Sequence, residues 1–140
     1  MNILVIDAQG GGLGKQVITA LKKNFPDMDI TAVGTNTMAT SVMLKAGAPH
    51  AATGENAVVV GCRKADIIIG PLAIVIADSM FGEITPAMAL AVAQSNAKRI
   101  LIPFNHCDNI VVGISDYNVT AFIQDTVNKV SEMIGRQSEK

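Results

Sequence analysis

The sequence predicts one α/β domain in which helices cover both faces of a mainly parallel sheet. Short aliphatic runs alternate along the chain with amphipathic stretches at helical spacing, which is the pattern of strands joined by helices. Apolar residues make up 49% of the 140 residues and aromatic residues only 4%, so the expected core is aliphatic, as is usual between helices and a parallel sheet. A cluster of glycines follows the first aliphatic run and precedes the first amphipathic stretch.

The first elements form a β-α-β unit. Residues 3–7 are almost wholly apolar, as expected of a strand that is covered on both faces. An amphipathic helix is predicted over residues 13–25, where Pro26 ends it, and a second strand over residues 29–33. A unit of this kind joins two parallel strands, and its crossover is expected to be right-handed.

The middle of the chain continues the alternation of helices and strands. The next predicted elements are a helix over residues 39–46, a short strand over 49–52, a helix over 55–64 and a strand over 66–69. Gly47 follows the first of these helices, at the position that favours a left-handed backbone. The last strand is predicted to stop at Gly70 and Pro71, and residues 72–80 are compatible with either a helix or another strand.

The last third of the chain contains a clear helix start. Thr85 is a good N-cap residue and Pro86 suits the first helical position, so a helix is predicted from there to Ser95. The remaining elements are a strand over residues 99–104, a candidate sixth strand over 110–114, an amphipathic helix over 118–134 and a polar tail over 135–140. The whole pattern predicts a Rossmann-like three-layer sandwich with a mainly parallel sheet of five or six strands, in a single domain over residues 1–134.

Composition and charge exclude several classes of function. The formal net charge is −1 and no basic stripe is present, so a nucleic-acid partner is not expected. The two cysteines do not make a disulfide framework, and the first residues read as a strand and not as a signal peptide, so we expect a cytoplasmic protein. The longest apolar run, residues 67–77, is broken by Gly70 and Pro71 and is too short to span a bilayer, so no membrane partner is expected either.

The loops that follow the predicted strands are rich in glycine and small polar residues. They cover residues 8–14, 34–36, 53–56, 70–71 and 105–108. The carboxyl ends of parallel strands lie along one edge of the sheet, and ligands of open α/β folds bind at that edge where the strand order reverses. We therefore expect the ligand site of this protein there.

The first of these loops reads DAQGGGLGK over residues 7–15. Its glycines allow positive φ and let backbone N–H groups approach a phosphate, and the N-terminus of the following helix favours negative charge. The loop therefore predicts a site for a nucleotide or dinucleotide phosphate, with NAD(P) or another nucleotide as the cofactor. The alternative interpretation is a glycine turn that only packs a helix close to a strand.

The second loop lacks the charged residue that usually accompanies a dinucleotide site. An acidic residue at the end of the second strand normally holds the ribose of NAD, and a basic one accommodates the phosphate of NADP, but Thr35 and Asn36 stand there instead. Their side chains could bind a ribose or a phosphate, and they could equally cap the next helix. The residues expected to bind the nucleotide are Gln9, Gly10, Gly11, Gly12, Leu13, Gly14, Thr35, Asn36, Gly70 and Pro71.

The spacing of the glycines resembles the cofactor loop of short-chain dehydrogenases. The pattern G-x-x-x-G-x-G fits if Ala8 takes the first glycine position and Gly12 and Gly14 the others, whereas G-x-G-x-x-G and the P-loop pattern do not fit. The resemblance ends at the catalytic pair, since those enzymes have a lysine four residues after a tyrosine. Here the single tyrosine is Tyr117 and Ala121 occupies the lysine position, so hydride transfer of that type is not expected.

A second resemblance extends over nearly the whole chain. It is carried by the runs DAQGGGLGK, GTNTMATSVMLKAGA, ATGENAVVV, ADIIIGP and GEITPAMA. These runs resemble a family of short, single-domain bacterial proteins, common in anaerobic Firmicutes, that is described as being of unknown function. The resemblance implies a Rossmann-like fold and a bacterial, cytoplasmic protein, and it implies neither a substrate nor a catalytic residue.

The densest group of reactive side chains, residues 105–108, follows the fifth predicted strand. His106 is the candidate acid or base near neutral pH, and Cys107 beside it is a candidate thiolate, while a polar turn is the plain alternative. A metal site needs three or four converging ligands, and only His50, Glu55 and Asp78 could join this group from elsewhere, so no metal is predicted. Whether the chain is an enzyme stays open at this point.

The segment over residues 72–81 is too hydrophobic for the exterior of a monomer, so a homodimer is expected. Two pairs of residues flank the apolar segment, Asp78 with Ser79 and Gly82 with Glu83, and they are candidates for a lid over the ligand or for part of the dimer interface. Glu55, at a predicted helix start, suits the helix dipole and is an alternative acceptor for a ligand hydroxyl.

Three functions are compatible with these observations. The first is a protein that binds a nucleotide in order to sense or carry it. The second is a small enzyme that acts on a nucleotide or a phosphorylated metabolite with His106. The third is a structural or partner-binding domain in which the glycine loop is architectural. The composition of the loops at one edge of the sheet favours the first.

Overall fold

A computed structural model of the protein describes residues 1–103 and 108–138. In this part of the chain, five parallel strands form one sheet with the order β3-β2-β1-β4-β5. The strands are β1 (Asn2–Asp7), β2 (Asp29–Gly34), β3 (His50–Thr53), β4 (Ile67–Pro71) and β5 (Lys98–Ile102). The helices are α1 (Gly12–Asn24), α2 (Thr37–Lys45), α3 (Glu55–Lys64), α4 (Pro86–Gln94) and α5 (Val119–Ser138), and a 3-10 turn covers Leu72–Val75. The predicted Rossmann-like three-layer fold is confirmed.

The core consists of two aliphatic layers, one on each face of the sheet. Ile3 and Val5 of β1 pack with α1, α2 and α5, whereas Leu4 and Ile6 pack with α3, α4 and the 3-10 turn. Alternate side chains of the strand therefore enter opposite layers, and all four are buried. This explains why β1 reads as a continuous apolar run. Burying each such side chain contributes roughly 1.5–3 kcal/mol to stability.

The order of the strands reverses at β1. From β1 the chain goes to β2 and β3 on one side, and it then returns to place β4 on the other side of β1. The connections that leave the carboxyl ends of β1 and β4 therefore diverge, and a crevice for a ligand opens between them in folds of this kind. The glycine loop lies directly at this point, because it joins β1 to α1.

Several local sequence signals act as predicted. The Thr85 hydroxyl accepts a hydrogen bond from the Met88 amide at 3.2 Å, and Pro86 is the first residue of α4. Gly47 has a φ of 114° just after α2, as expected of a glycine that follows a helix. These caps fix where the two helices begin and end.

The predicted end of the fourth strand is wrong. β4 continues through Gly70 and Pro71, which pair with Leu101 and Ile102 of β5. Beyond Ile69 the strand has no register partner in β1, so the missing N–H of Pro71 interrupts no ladder on that side. Proline is therefore tolerated here, although proline usually ends a strand.

Three other expectations on secondary structure are corrected or decided. The ambiguous residues 72–80 form the 3-10 turn and then a series of turns. Residues 110–114 pair with no strand among the described residues and contain a turn, and Ile110 and Val112 are 91% and 95% exposed. The last helix continues to Ser138, so most of the predicted polar tail is helical. Among the described residues, no helix has the length and apolar character needed to cross a membrane.

Candidate functional site

The glycine loop, the turn after β2 and the 76–84 segment meet at the carboxyl edge of the sheet. The Thr35 amide donates to the Asp7 carbonyl oxygen at 3.1 Å, and the Asn36 side-chain amide donates to the Gln9 carbonyl oxygen at 3.0 Å. These bonds hold the turn after β2 against the glycine loop. Glu83, from the 76–84 segment, accepts hydrogen bonds from the glycine loop and from the turn after β2.

Asp7, the last residue of β1, binds two backbone amides of the glycine loop. Its side chain accepts hydrogen bonds from the Ala8 amide at 2.8 Å and from the Gly14 amide at 2.7 Å, one on each carboxyl oxygen. The residue is only 3% exposed, and this burial raises the pKa of Asp7 above its ordinary value although the two amides act in the opposite direction. The two bonds tie the start of the loop to the first turn of α1.

Two of the loop glycines are required by packing. Gly11 has a φ of 73°, and a Cβ atom there would lie 2.9 Å from Cα of Ala39 in α2. A Cβ atom on Gly14 would lie 2.5 Å from the sulfur of Met43, which is also in α2. The beginning of α1 therefore approaches α2 too closely for larger residues. At these two positions the architectural interpretation of the glycine loop is sufficient.

The other two glycines of the loop have no packing role. A Cβ atom on Gly10 or Gly12 would meet nothing within 4 Å, and both residues are exposed. The backbone amides of Gly10, Gly12 and Leu13 have no hydrogen-bond partner within residues 1–103 and 108–138. They lie at the N-terminus of α1, a helix of 13 residues, where the aligned peptide dipoles favour an anion.

Glu83 supplies a carboxylate at the end of β2. One of its oxygens, Oε1, accepts hydrogen bonds from the Gln9 amide at 2.9 Å, the Thr35 hydroxyl at 2.7 Å and the Asn36 side-chain amide at 2.8 Å. Burial by itself would raise the pKa of Glu83, but the three hydrogen bonds outweigh burial and lower it below the ordinary value. Glu83 is therefore negatively charged at neutral pH.

Asn36 has two roles in this arrangement. Its side-chain oxygen accepts a hydrogen bond from the Ala39 amide at 2.9 Å and so caps α2. Its side-chain nitrogen donates to Glu83 and to the Gln9 carbonyl oxygen. The capping role foreseen as one alternative for Asn36 is thus present, and the side chain faces the loop at the same time.

The 76–84 segment holds Glu83 in place through its own turns. The Asp78 amide donates to the Ile84 carbonyl oxygen at 2.7 Å, and the Ser79 hydroxyl donates to the Ala73 carbonyl oxygen at 2.8 Å. Ile84, next to Glu83, is fully buried in the core. The glutamate is therefore anchored from the interior of the domain and not from a free loop.

An open cleft adjoins the glycine loop on the side of β4 and β5. Its volume is about 620 Å³. It is lined by Gln9, Ile76, Ala77, Asp78, Ser79, Met80, Phe81, Asp108 and Asn109. The described lining contains two carboxylates and no lysine or arginine. A second groove of about 540 Å³ lies between α3 and α4, away from the loops that leave the carboxyl ends of the strands.

The structure brings most of the predicted binding residues together. Gln9, Thr35 and Asn36 are joined to Glu83 by hydrogen bonds, and Gly10 and Gly12 are exposed beside Gln9. Gly11, Leu13 and Gly14 belong to the same loop but are buried. Gly70 and Pro71 do not belong to a loop but are buried in β4, and a Cβ atom on Gly70 would lie 2.6 Å from the Ile6 carbonyl oxygen. Gly70 is therefore required by the neighbouring strand.

The candidate catalytic cluster over residues 105–108 is largely outside the described part of the chain. Asn105, His106 and Cys107 lie outside the residues that the structure describes. Within residues 1–103 and 108–138, no three histidine, cysteine, aspartate or glutamate side chains are grouped closely enough to hold a metal ion.

Sequence reasoning missed the roles of Asp7 and Glu83. Asp7 stands directly between a buried strand and a glycine loop, and this position alone would have suggested that it binds the loop amides. No local signal reveals the role of Glu83, because its partner Gln9 is 74 residues away in the sequence.

Comparisons with known proteins complete the description. A comparison with curated proteins gave no match. Among solved structures, the chain is similar to a dodecameric FMN-dependent UbiX-like decarboxylase from Escherichia coli O157:H7, with 17% identity and a TM-score of 0.43 over 95% of this chain and 76% of that one. A family model described as "Domain of unknown function (DUF3842)" matches residues 2–135. The match covers nearly the whole chain, so the protein belongs to the DUF3842 family, and the expected membership in a family of unknown function is confirmed.

Proposed function

We propose that this protein binds a nucleotide or dinucleotide and holds its phosphate on the amides of Gly10, Gly12 and Leu13. The observation that carries the proposal is the division among the loop glycines. Gly11 and Gly14 are explained by contacts with α2, whereas no atom lies near the missing Cβ positions of Gly10 and Gly12. These two positions leave space at the end of a helix for a group that is not part of the chain.

The physical chemistry of the space suits a phosphate. Three amides that lack partners among the described residues would donate to phosphate oxygens, and the dipole of α1 adds the equivalent of about half a positive charge. Gly12 is the first residue of α1, and no packing contact requires a glycine there. This is expected of a position that a ligand approaches.

The charges around the loop limit which nucleotide can bind. Asp7 and Glu83 place two carboxyl groups next to the loop, and the adjoining cleft contains Asp78 and Asp108. A strongly charged triphosphate would be repelled there, whereas one phosphate, or the diphosphate bridge of a dinucleotide, carries less charge. The cleft volume of about 620 Å³ lies within the range of small-molecule sites, roughly 300–1,000 Å³, so it has room for a base or a similar ring.

Calorimetric titration tests the proposal. AMP, ATP, NAD and NADP are titrated into the wild type, into Gly12→Val and into Gly135→Val. The last variant introduces the same side chain at another glycine with open space, near the end of α5. We expect the wild type to bind at least one of the four, Gly12→Val to bind it at least about 30-fold more weakly, and Gly135→Val to bind it normally.

Thermal melts of the three proteins serve as the control for folding. Both variants should melt close to the wild type, because a Cβ atom at either position meets nothing within 4 Å. If the wild type binds none of the four nucleotides, or if Gly12→Val binds them as well as the wild type does, the proposal is wrong and the glycine loop is architectural throughout.

We also propose that the protein forms a homodimer. Phe81, at the tip of the 76–84 segment, has a fully exposed side chain, and Leu90 of α4 is 56% exposed. Exposed apolar side chains such as these lose contact with water when two chains associate, and dimers with two-fold symmetry are the commonest assembly. Light scattering at micromolar concentrations should give the mass of two chains, and the mass of one chain across that range would refute the proposal.

A further inference from the structure

We propose that Glu83 selects nucleotides whose ribose carries a free 2′-hydroxyl and rejects those with a 2′-phosphate. This inference rests on the proposed function, because it concerns the ribose next to the phosphate on the glycine loop. It assigns to Glu83 a role in specificity. The ligand class would then be NAD and related nucleotides, and not NADP.

The carboxylate of Glu83 lies at the end of β2. In dinucleotide-binding folds, an acid at the end of the second strand accepts hydrogen bonds from the ribose hydroxyls. The end of β2 in this chain carries Thr35 and Asn36, and both donate to Glu83. A residue from a distant segment therefore places its carboxylate where the strand itself has none.

The two carboxylate oxygens of Glu83 differ in their hydrogen bonds. All three hydrogen bonds from Gln9, Thr35 and Asn36 go to Oε1. Oε2 has no hydrogen-bond partner within residues 1–103 and 108–138. One oxygen is thus used to orient the side chain, and the other keeps its lone pairs for a donor. Ribose hydroxyls are such donors.

The groups that contact the Glu83 carboxylate do not neutralise its charge. The groups that bond to Glu83 are a backbone amide, a hydroxyl and a side-chain amide, and all of them are neutral. In the part of the chain that the structure describes, no lysine or arginine is paired with Glu83. A phosphate on the 2′-oxygen would therefore face an uncompensated carboxylate, and like charges placed together in this way oppose binding.

Hydrogen bonds and a buried neighbour hold the 76–84 segment in place around Glu83. The Glu83 amide donates to the Met80 carbonyl oxygen at 3.2 Å, and the next residue, Ile84, is buried in the core. The carboxylate cannot easily move aside to admit a phosphate, because its three donors and the buried neighbour hold it from both ends. Selection by a fixed charge is therefore expected.

A comparison of ligands on the wild type tests the inference without any change to the protein. NAD, NADP and 2′-deoxy-NAD are titrated by calorimetry under identical conditions. We expect NADP to bind at least about tenfold more weakly than NAD, because of repulsion, and 2′-deoxy-NAD to bind several-fold more weakly, because one hydrogen bond is lost.

Two variants then identify the residue. Glu83→Gln keeps the shape of the side chain and removes its charge, so the ratio of the NADP to the NAD dissociation constant should fall to within about threefold of one. Glu132→Gln removes an equal charge from the exposed surface of α5, and the ratio should stay at its wild-type value. Thermal melts check that both variants are folded.

The possible results separate this inference from the proposed function. If the wild type binds dinucleotides but does not distinguish NAD from NADP, the inference about Glu83 is wrong and nucleotide binding stands. If Glu83→Gln keeps the full preference for NAD, another group is responsible and the inference is equally wrong. If the wild type binds no nucleotide at all, both are wrong. Should Glu83→Gln fail to fold, the comparison of the three ligands on the wild type decides the matter.

Discussion

Alanine substitutions at two neighbouring glycines test how the glycine loop is built. Gly11 and Gly12 are adjacent in the sequence, but they have opposite surroundings. Gly11 has a φ of 73°, and its Cβ would lie 2.9 Å from Cα of Ala39, whereas the Cβ of Gly12 would lie in open space. The same chemical change should therefore have opposite effects on stability at two consecutive positions.

The expected magnitudes follow from these surroundings. For Gly11→Ala, the left-handed backbone costs about 1–2 kcal/mol, and the overlap with α2 costs roughly 1–3 kcal/mol more. A loss of this size lowers the melting temperature of a domain of this length by roughly 6–15 °C. For Gly12→Ala, helix propensity adds up to about 1 kcal/mol, so the melting temperature should stay the same or rise by a few degrees.

Urea titrations and thermal melts of the two variants beside the wild type measure the difference. Equal losses of stability in both would mean that Gly12 is also packed, and the open space at the N-terminus of α1 would not exist as described. A stable Gly11→Ala variant would show that α2 can move away from the loop, and the assignment of Gly11 to packing would fail.

Three further outcomes are expected. Thr85→Ala should lower the free energy of unfolding by about 1 kcal/mol in urea titrations, because the Met88 amide loses its cap, and Thr85→Ser should largely restore it. Cys62 is 4% exposed and burial raises its pKa to about 11, so peptide mass spectrometry after alkylation of the native protein at pH 8 should find it unmodified; rapid modification would contradict its burial. The pKa of Glu83 is lowered on folding, so its hydrogen bonds stabilise the folded protein at every pH above the ordinary pKa of 4.5. This stabilisation is lost as the pH falls through the lowered pKa. The gap in melting temperature between the wild type and Glu83→Gln should therefore be largest near neutral pH and shrink in acid, and a gap that stays constant over the whole acid range in which the protein is folded would refute this role.

The sequence was a good guide to features that depend on local burial. The β1 strand reads as a continuous apolar run because its side chains enter both layers of the core, and this is visible without a structure. Thr85 and Pro86 likewise mark the start of α4 through bonds made within one helical turn. In these cases the deciding contacts lie within a few residues or follow from hydrophobicity alone.

Features that depend on distant contacts could not be predicted in this way. Pro71 was read as a stop, but whether a strand can contain proline depends on which neighbour runs beside it. Ile110 and Val112 resemble strand residues, yet among the described residues they pair with no strand and their side chains are exposed. The approach of Glu83 to the end of β2 follows from the course of the 76–84 segment across the loop, and nothing near Glu83 in the sequence indicates that course.

The internal fastening of the glycine loop has a consequence for how fast a ligand can bind. Asp7 holds the Ala8 and Gly14 amides, and Glu83 holds the Gln9 amide, so the loop has its shape before any ligand arrives. Ordering a flexible backbone on binding would cost roughly 1–2 kcal/mol of conformational entropy per residue, and this cost has already been met on folding. Association should then proceed at the rate of an ordinary encounter, without a slow rearrangement step. Hydrogen exchange at the Gln9 and Gly14 amides should accordingly be slow in the free protein and change little when a nucleotide is added.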